Sequence, residues 1–275
     1  MILFKRLILL VIALLVLAIV VFNLWGFLTL GTLEPEQGEP YDPLANKVVL
    51  VSGANGSVGD GLLKAAMDAP EVEKIYALTR RTSPRIDAGV DSGRITLLMH
   101  DDFTDYSALA EQLAEVNTVL WGLGTSSLNV DDETFTWIHV DFPVAFVKEW
   151  LAARTDGPMA FHYVTGMGTD ADGDAHWARE KGRAEIEVAE LAEGTGLRTF
   201  GYRSGYIKPP ADVANMAMDI VAALLRPGGL VIDSQDLAGA MFEISARTEE
   251  LPNGTLIDNV DSIRYGDAYR NRKSP

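Results

Sequence analysis

The β-branched run Lys47-Val-Val-Leu-Val-Ser52 breaks directly into Gly53-Ala-Asn55-Gly56-Ser57-Val58-Gly59, which opens an amphipathic stretch reaching Met67. Three glycines at this spacing, between a strand and a helix, leave few folds open. Each has a separate physical role: Gly53 permits the tight turn, Gly56 lets backbone approach a pyrophosphate, and Gly59 allows the helix to pack closely on the strand. The helix N-terminus then offers unpaired N–H groups and a positive dipole end to the phosphates, bordered by Asn55, Ser57 and Val58. A plain strand-to-helix turn is the alternative reading, and the strand and helix on either side weigh against it.

Alternation of short apolar runs with helical patterns continues past this loop. Strands are expected at Lys74 to Thr79, Ile95 to Met99, Thr118 to Gly122, Ala160 to Thr165 and Leu197 to Tyr202. Strands separated by helical crossovers pair in parallel, so the fold class is α/β, a Rossmann-type doubly wound parallel sheet. In such a sheet the ligand lies beyond the carboxyl ends of the strands. The later runs Leu230 to Asp233 and Gln235 to Phe242 are expected to complete the sheet edge and a small substrate-side region.

The second strand ends in Leu78-Thr-Arg80-Arg81, where an NAD-specific domain places a carboxylate for the ribose 2′-hydroxyl. A guanidinium there suits a 2′-phosphate instead, and the first nearby acid, Asp87, comes well after the strand. The expectation is therefore NADP(H) in preference to NAD(H), set against the plainer reading of a solvated basic pair. After the third strand, Asp102-Phe-Thr-Asp105 suits either the wall of an adenine pocket or a helix cap.

Before the domain, no charge interrupts the chain from Leu7 to Leu33, and Lys5 and Arg6 precede an unbroken aliphatic and aromatic run to Phe22. About 20 helical residues cross a hydrocarbon core of about 30 Å, and Trp25 sits where an interfacial aromatic would. A core helix would show a polar face, and a signal peptide carries a shorter apolar stretch ending in a small-residue cleavage site. A single-pass anchor over residues 1–33 is thus expected, preceding one N-terminal transmembrane-to-soluble boundary. The basic pair before the span, with Glu34, Glu36, Glu39 and Asp42 after it, favours a cytoplasmic N-terminus. Taken literally, that carries the domain across the membrane, in tension with an intracellular cofactor, and leaves its side open. Residues 34–46, rich in acid, proline and glycine, read as an exposed linker, 47–270 as one nucleotide-binding domain and 271–275 as a tail.

Beyond the two N-terminal basic residues the chain carries 21 basic and 39 acidic side chains, a net of −18. Such a domain repels nucleic acid, whose binding rests on Lys and Arg displacing counterions. The absence of cysteine removes disulfides, thiolate nucleophiles and Cys-based metal sites. The acidic loop Asp170-Ala-Asp-Gly-Asp174 lacks the distal glutamate of a calcium loop, and no metal site is expected. The partners expected are a nucleotide cofactor and a membrane; no protein partner is readable.

Taken in order, the Gly53 to Gly59 loop, Arg80, Asp102, the strand end Leu120-Trp-Gly122-Leu-Gly-Thr125, Val140-Asp141, Tyr163-Val-Thr-Gly166, Lys181-Gly182 and Arg203-Ser-Gly205 resemble the short-chain dehydrogenase/reductases. The resemblance spans roughly Lys47 to Tyr269. Its flavour is that of the atypical NADP-binding branch that includes the Tat-interacting reductase-like proteins. It implies cofactor contacts at Gly122 and Lys181, and a Tyr-x-x-x-Lys helix in which tyrosine moves the proton, lysine binds ribose, and a Ser or Thr orients the carbonyl. Lys181 matches the lysine and Thr165 is the available hydroxyl. The tyrosine position is Trp177. An indole N–H only donates a hydrogen bond and does not exchange a proton at accessible pH. His176 lies about 140° round the helix from Lys181 and points elsewhere, so Tyr206 is the remaining candidate, with pocket wall as its plainer role. His162 and Tyr163 alternate along one strand, and at most one faces a site.

Two functions follow. One is a membrane-anchored NADP(H)-binding protein of weak or altered redox activity; the other is an active reductase or epimerase-like enzyme on a lipophilic carbonyl substrate, using Thr165, Lys181 and Tyr206. A purely structural domain without nucleotide is the third reading.

Overall fold

The computed structural model describes residues 2–38 and 40–273. Glu39, one of the acidic residues after the apolar run, and the last two residues of the expected tail lie outside them. The chain begins with the helix α1 (Ile2–Thr29), then runs β1 (Val48–Ser52), α2 (Ser57–Asp68), β2 (Lys74–Thr79), α3 (Pro84–Asp91) and β3 (Ile95–Met99). The second half of the sheet follows with α4 (Ala110–Leu113), β4 (Thr118–Trp121), α5 (Asp132–Thr136), α6 (Phe142–Ala153), β5 (Met159–Val164), α7 (His176–Ala192) and β6 (Leu197–Arg203). The chain ends with β7 (Tyr206–Lys208), α8 (Met216–Leu225), β8 (Val231–Asp233), α9 (Ser234–Ala246), β9 (Thr255–Asp258) and α10 (Asn259–Lys273).

Seven strands form one sheet in the order β3-β2-β1-β4-β5-β6-β9, and every pairing in it is parallel. The chain reverses direction across the sheet between β1 and β4, which opens a crevice at their carboxyl ends. Alternation along β1 divides the core. Val49 and Val51 face α2 and α9, while Leu50 faces a layer that includes Trp121, Phe146, Trp150 and Phe161. The doubly wound expectation is met, and the β2 and β3 boundaries match residue for residue.

Two expectations are corrected. Gln235 to Phe242 is not sheet edge but part of α9, which is buried along nearly its whole length and so lacks the polar face that marks a helix. The edge is β9, and the expected Leu230 to Asp233 segment supplies β8, paired only with β7. Most described residues of the linker 34–46 are exposed, and several are tied to the domain. Asp42 N–H donates to Ala246 O (2.8 Å), Tyr41 hydroxyl donates to Glu243 (2.6 Å), and Arg247 donates to Glu36 O (2.6 Å). The described part of the expected tail, residues 271–273, is the last turn of α10, where Arg272 pairs with buried Glu243 (3.0 Å) and Lys273 pairs with Glu71.

Helix α1 stands out from the sheet with its long apolar face exposed, and Phe4–Thr29 is long and apolar enough to cross a membrane. That exposure excludes the core-helix reading. Its C-terminal end is docked: Asn23 Nδ2 donates to Leu224 O (3.0 Å) and Asn23 Oδ1 accepts from Gly228 N–H (2.6 Å). A polar side chain within an apolar run is thereby satisfied by the domain.

Candidate nucleotide and substrate site

At the end of β1 the chain turns through Gly53 with φ +68°, a left-handed conformation that favours glycine. A Cβ on Gly53 would lie 2.7 Å from the backbone of Gly122, and one on Gly59 would overlap Gly53 O. One on Gly122 would crowd Gly59 Cα at 3.3 Å. The three glycines therefore interlock β1, α2 and β4 at the reversal of strand order. Gly56 caps α2 with no side-chain hydrogen bond, which leaves the first-turn N–H groups uncapped by a side chain, the arrangement that suits an anion.

A groove of about 180 Å³ runs over this loop, lined by Gly53, Asn55, Gly56, Arg80, Phe103 and Gly122. Arg80 is exposed, its guanidinium 5.9 Å from the Phe103 ring centre. Ser57 and Val58 lie in the first turn of α2 beside the groove. Asp102 sits next to it, yet its carboxylate accepts from Thr104 N–H (3.0 Å) and Thr104 Oγ1 (2.6 Å), which hold it below the usual carboxylate range. Phe103, rather than Asp102, forms the wall. The glycine cradle and the cationic rim fit a dinucleotide.

A second pocket of about 360 Å³ is lined by Thr165, Trp177, Lys181 and Tyr206 together with Phe22 and Leu225. Sequence reasoning placed the first four in one site, and the structure brings them together. Lys181 Nζ donates to Thr165 O (2.6 Å). Burial lowers the lysine to about 8, partly offset by Glu185. The Thr165 hydroxyl is not free. It donates to Glu185 Oε1 (2.6 Å), and Glu185 also accepts from Arg203 at 2.7 Å. Tyr206 is half-buried, and its hydroxyl has no hydrogen-bond partner among the described residues. Trp177 packs over Gly168, 3.1 Å from the position of a Cβ there.

Two residues were missed. Glu185, one turn after Lys181, is buried against β6, and a Cβ on Gly201 would lie 2.6 Å from its carboxylate. The i,i+4 spacing from Lys181 and a glycine inside a strand were its only sequence signals. His139 lies on a π-helical turn, Trp137–Asp141, buried between Gly124 and β5. Its Nε2 meets Thr125 N (3.1 Å), and Tyr163 hydroxyl donates to its carbonyl (2.6 Å). Burial and nearby Lys181 lower it to about 4.

The remaining histidine expectations divide by face. His162 turns away, bonded to Tyr202 hydroxyl (2.9 Å) and Ser245 (2.7 Å), while Tyr163 faces His139, so neither lines the pocket. His176 points, as expected, away from Lys181, toward Thr136 and Asp132. A larger cavity of about 560 Å³ around His176, lined also by Asp132, Glu133 and Asp141, has an acidic wall unsuited to phosphates.

The architecture is shared with solved oxidoreductases. A short-chain dehydrogenase/reductase-family oxidoreductase from Burkholderia thailandensis superposes with a TM-score of 0.60, is 20% identical, and covers 79% of this chain and 92% of its own. A short-chain dehydrogenase/reductase from Serratia marcescens gives 0.60 at 16% identity over 80% of this chain and 100% of that one. The fold is thus that of the short-chain dehydrogenase/reductases. Among named proteins, the chain is similar to the mitochondrial protein FMP52 of Candida albicans, 27% identical over 222 residues that cover 76% of this chain and 91% of that one. A protein of the same name from Aspergillus fumigatus is 23% identical over 232 residues. No family model matches the chain.

Proposed function

We propose that this is a membrane-anchored NADP(H)-binding protein of the short-chain dehydrogenase/reductase type whose redox chemistry is weak or altered. The observation that carries it is Trp177 in the wall of the pocket that also holds Lys181. The nucleotide reading is supported by the interlocked glycines and by the exposed Arg80 on the groove's rim, suited to a 2′-phosphate. NADP(H) would supply a hydride donor or acceptor when bound. Of the chain's own groups, Lys181 sits half-buried where it would bind ribose, and α2 presents its N–H groups to the phosphates. Trp177 offers only a donor N–H, so no proton leaves or arrives through it. Thr165 holds its proton toward Glu185, which removes it as a donor to a substrate carbonyl unless that pair reorganises. The long exposed α1 supports the anchor, and the naming of the fungal relatives as mitochondrial is consistent with an organellar membrane.

A second reading, an active reductase on a lipophilic carbonyl, is favoured by one observation: Phe22 of α1 and Leu225 of α8 form part of the same pocket wall. Tyr206 is then the proton carrier. The two readings separate with full-length protein in detergent or nanodiscs, assayed for NADPH oxidation against a panel of carbonyl compounds. Weak redox chemistry predicts little turnover, with turnover gained in Trp177→Tyr. Robust turnover by the natural chain that Tyr206→Phe abolishes would overturn it in favour of the second.

A further inference from the structure

Helix α8 turns its apolar face outward. Met216, Ile220, Val221 and Leu224 are exposed, Met216 by 78%, and Ala222 is its only buried residue. The 216, 220, 224 spacing puts three of them on one stripe. Soluble domains turn such a stripe to the core, and a contiguous exposed one marks a contact surface. Asp219 is neutralised by Lys208 at 2.8 Å, so the face is not broken by an unpaired charge.

What covers the face follows from its neighbour. The end of α8 is fastened to α1 by the Asn23 contacts to Leu224 and Gly228, immediately beyond the unbroken apolar run that ends at Phe22. A Cβ on Gly26 would lie 2.5 Å from Gly228 O, so α1 and the turn at 226–228 that follows α8 are in close backbone contact. Phe22 and Trp25 stack at 5.6 Å on the same stretch and with Leu225 line an open apolar groove. Phe22 and Leu225 also line the Lys181 pocket, so the groove and the pocket share a wall. A membrane span ending near Phe22 would therefore place its interface at the level of α8 and of the pocket mouth.

We infer that α8 is a second membrane contact, lying in the bilayer interface, and that the gap between α1 and α8 admits a long-chain lipid carbonyl or alcohol sideways from the bilayer to Lys181 and Tyr206. This rests on α1 being a membrane span and on the pocket being the substrate side of the nucleotide site. Interfacial helices bury an apolar face at the headgroup and acyl boundary, and an amphiphile whose chain stays in lipid reaches such a mouth without crossing water.

The chain has no cysteine, so Met216→Cys, Ile220→Cys and Leu224→Cys in the full-length protein each accept one environment-sensitive fluorophore. Val90→Cys, exposed near the end of α3 where the strands begin, is the control. In vesicles containing spin-labelled lipid, emission at the three α8 positions shifts to the blue and is quenched, while Val90 is unaffected. α8 labels that match Val90, or that become buried only as protein concentration rises, overturn the lipid contact; the latter result assigns the face to a second copy. For the opening, a long-chain fatty ketone carrying a photoreactive diazirine is irradiated in nanodiscs with the protein. Labelled peptides containing Tyr206, Leu225 or Leu230 support it, and label confined to α1 overturns it. Binding of NADPH by the same sample is followed by nicotinamide fluorescence, so failure of the opening with cofactor binding intact is distinct from failure of the nucleotide reading.

Discussion

Replacing Gly59 by alanine tests the nucleotide cradle at its tightest point. A methyl group there would overlap Gly53 O and crowd Gly53 C at 2.5 Å, and both are backbone atoms fixed by the turn at φ +68°. Relief requires α2 to move away from β1 or the loop to shift, each by about an ångström, and such overpacking costs about 1–3 kcal/mol. Alanine returns up to about 1 kcal/mol of helix propensity, so the net loss is about 0–3 kcal/mol. For a domain of this size each kcal/mol lowers Tm by roughly 2–4 °C. Gly56→Ala is the matched comparison. Its φ of −89° suits alanine and its Cβ would be 3.3 Å from Gly53 O, so stability is nearly kept while the surface that faces phosphate is obstructed. Differential scanning fluorimetry, with and without NADPH, reads both. Gly59→Ala is expected to lower Tm and weaken the NADPH-induced rise; Gly56→Ala is expected to lose mainly the rise. Unchanged Tm and unchanged NADPH response in Gly59→Ala would refute the interlocked-glycine reasoning.

Other consequences are more local. His139 titrates at about 4 when folded against an unperturbed 6.5, so the unfolded chain binds more protons between those values and stability falls as pH drops through that window, by about 3 kcal/mol in all; denaturant melts from pH 7 to 4 should show it, reduced in His139→Gln. Lys181, lowered to about 8 by burial, is a charge the fold carries at a cost below that pH, so Lys181→Met should raise the stability of the cofactor-free protein at pH 7 while weakening NADPH binding. Because the unfolded lysine stays protonated to about 10.5, the natural protein's stability should rise from pH 8 toward 10, and Lys181→Met should flatten that rise. Glu185→Leu leaves Arg203 without its partner and Thr165 without its acceptor, and should cost about 3 kcal/mol in urea melts.

The strands were legible because parallel strands read as short, mostly apolar runs, as Lys74–Thr79 does inside the sheet and Ile95–Met99 does even at its edge. The glycine loop was legible for the same local reason: turn, close approach and helix start are all written within seven residues. Helix α9 was not, since burial on all sides left Leu237 to Ala246 without a polar face, and periodicity does not separate such a run from a strand. The lining of the pocket was legible where chain order determines it, at Lys181, Trp177 and Tyr206. Glu185, His139 and the commitment of the Thr165 hydroxyl depend on what β6, the π-helical turn and α7 bring together, and sequence spacing does not carry that. Phe22 as a wall of the pocket was hidden for a similar reason, because an apolar helix reads as an anchor whichever face it presents to its own domain.

The central claim is that this fold holds NADP(H) whether or not it uses it. Titrating the full-length protein with NADPH and then NADH, while following nicotinamide fluorescence, tests it directly. The account predicts saturable binding of both, tighter for NADPH, with Arg80→Ala reducing that preference by about tenfold or more, the worth of a charge-assisted phosphate contact of about 1.5–3 kcal/mol. Failure of either nucleotide to bind would contradict it.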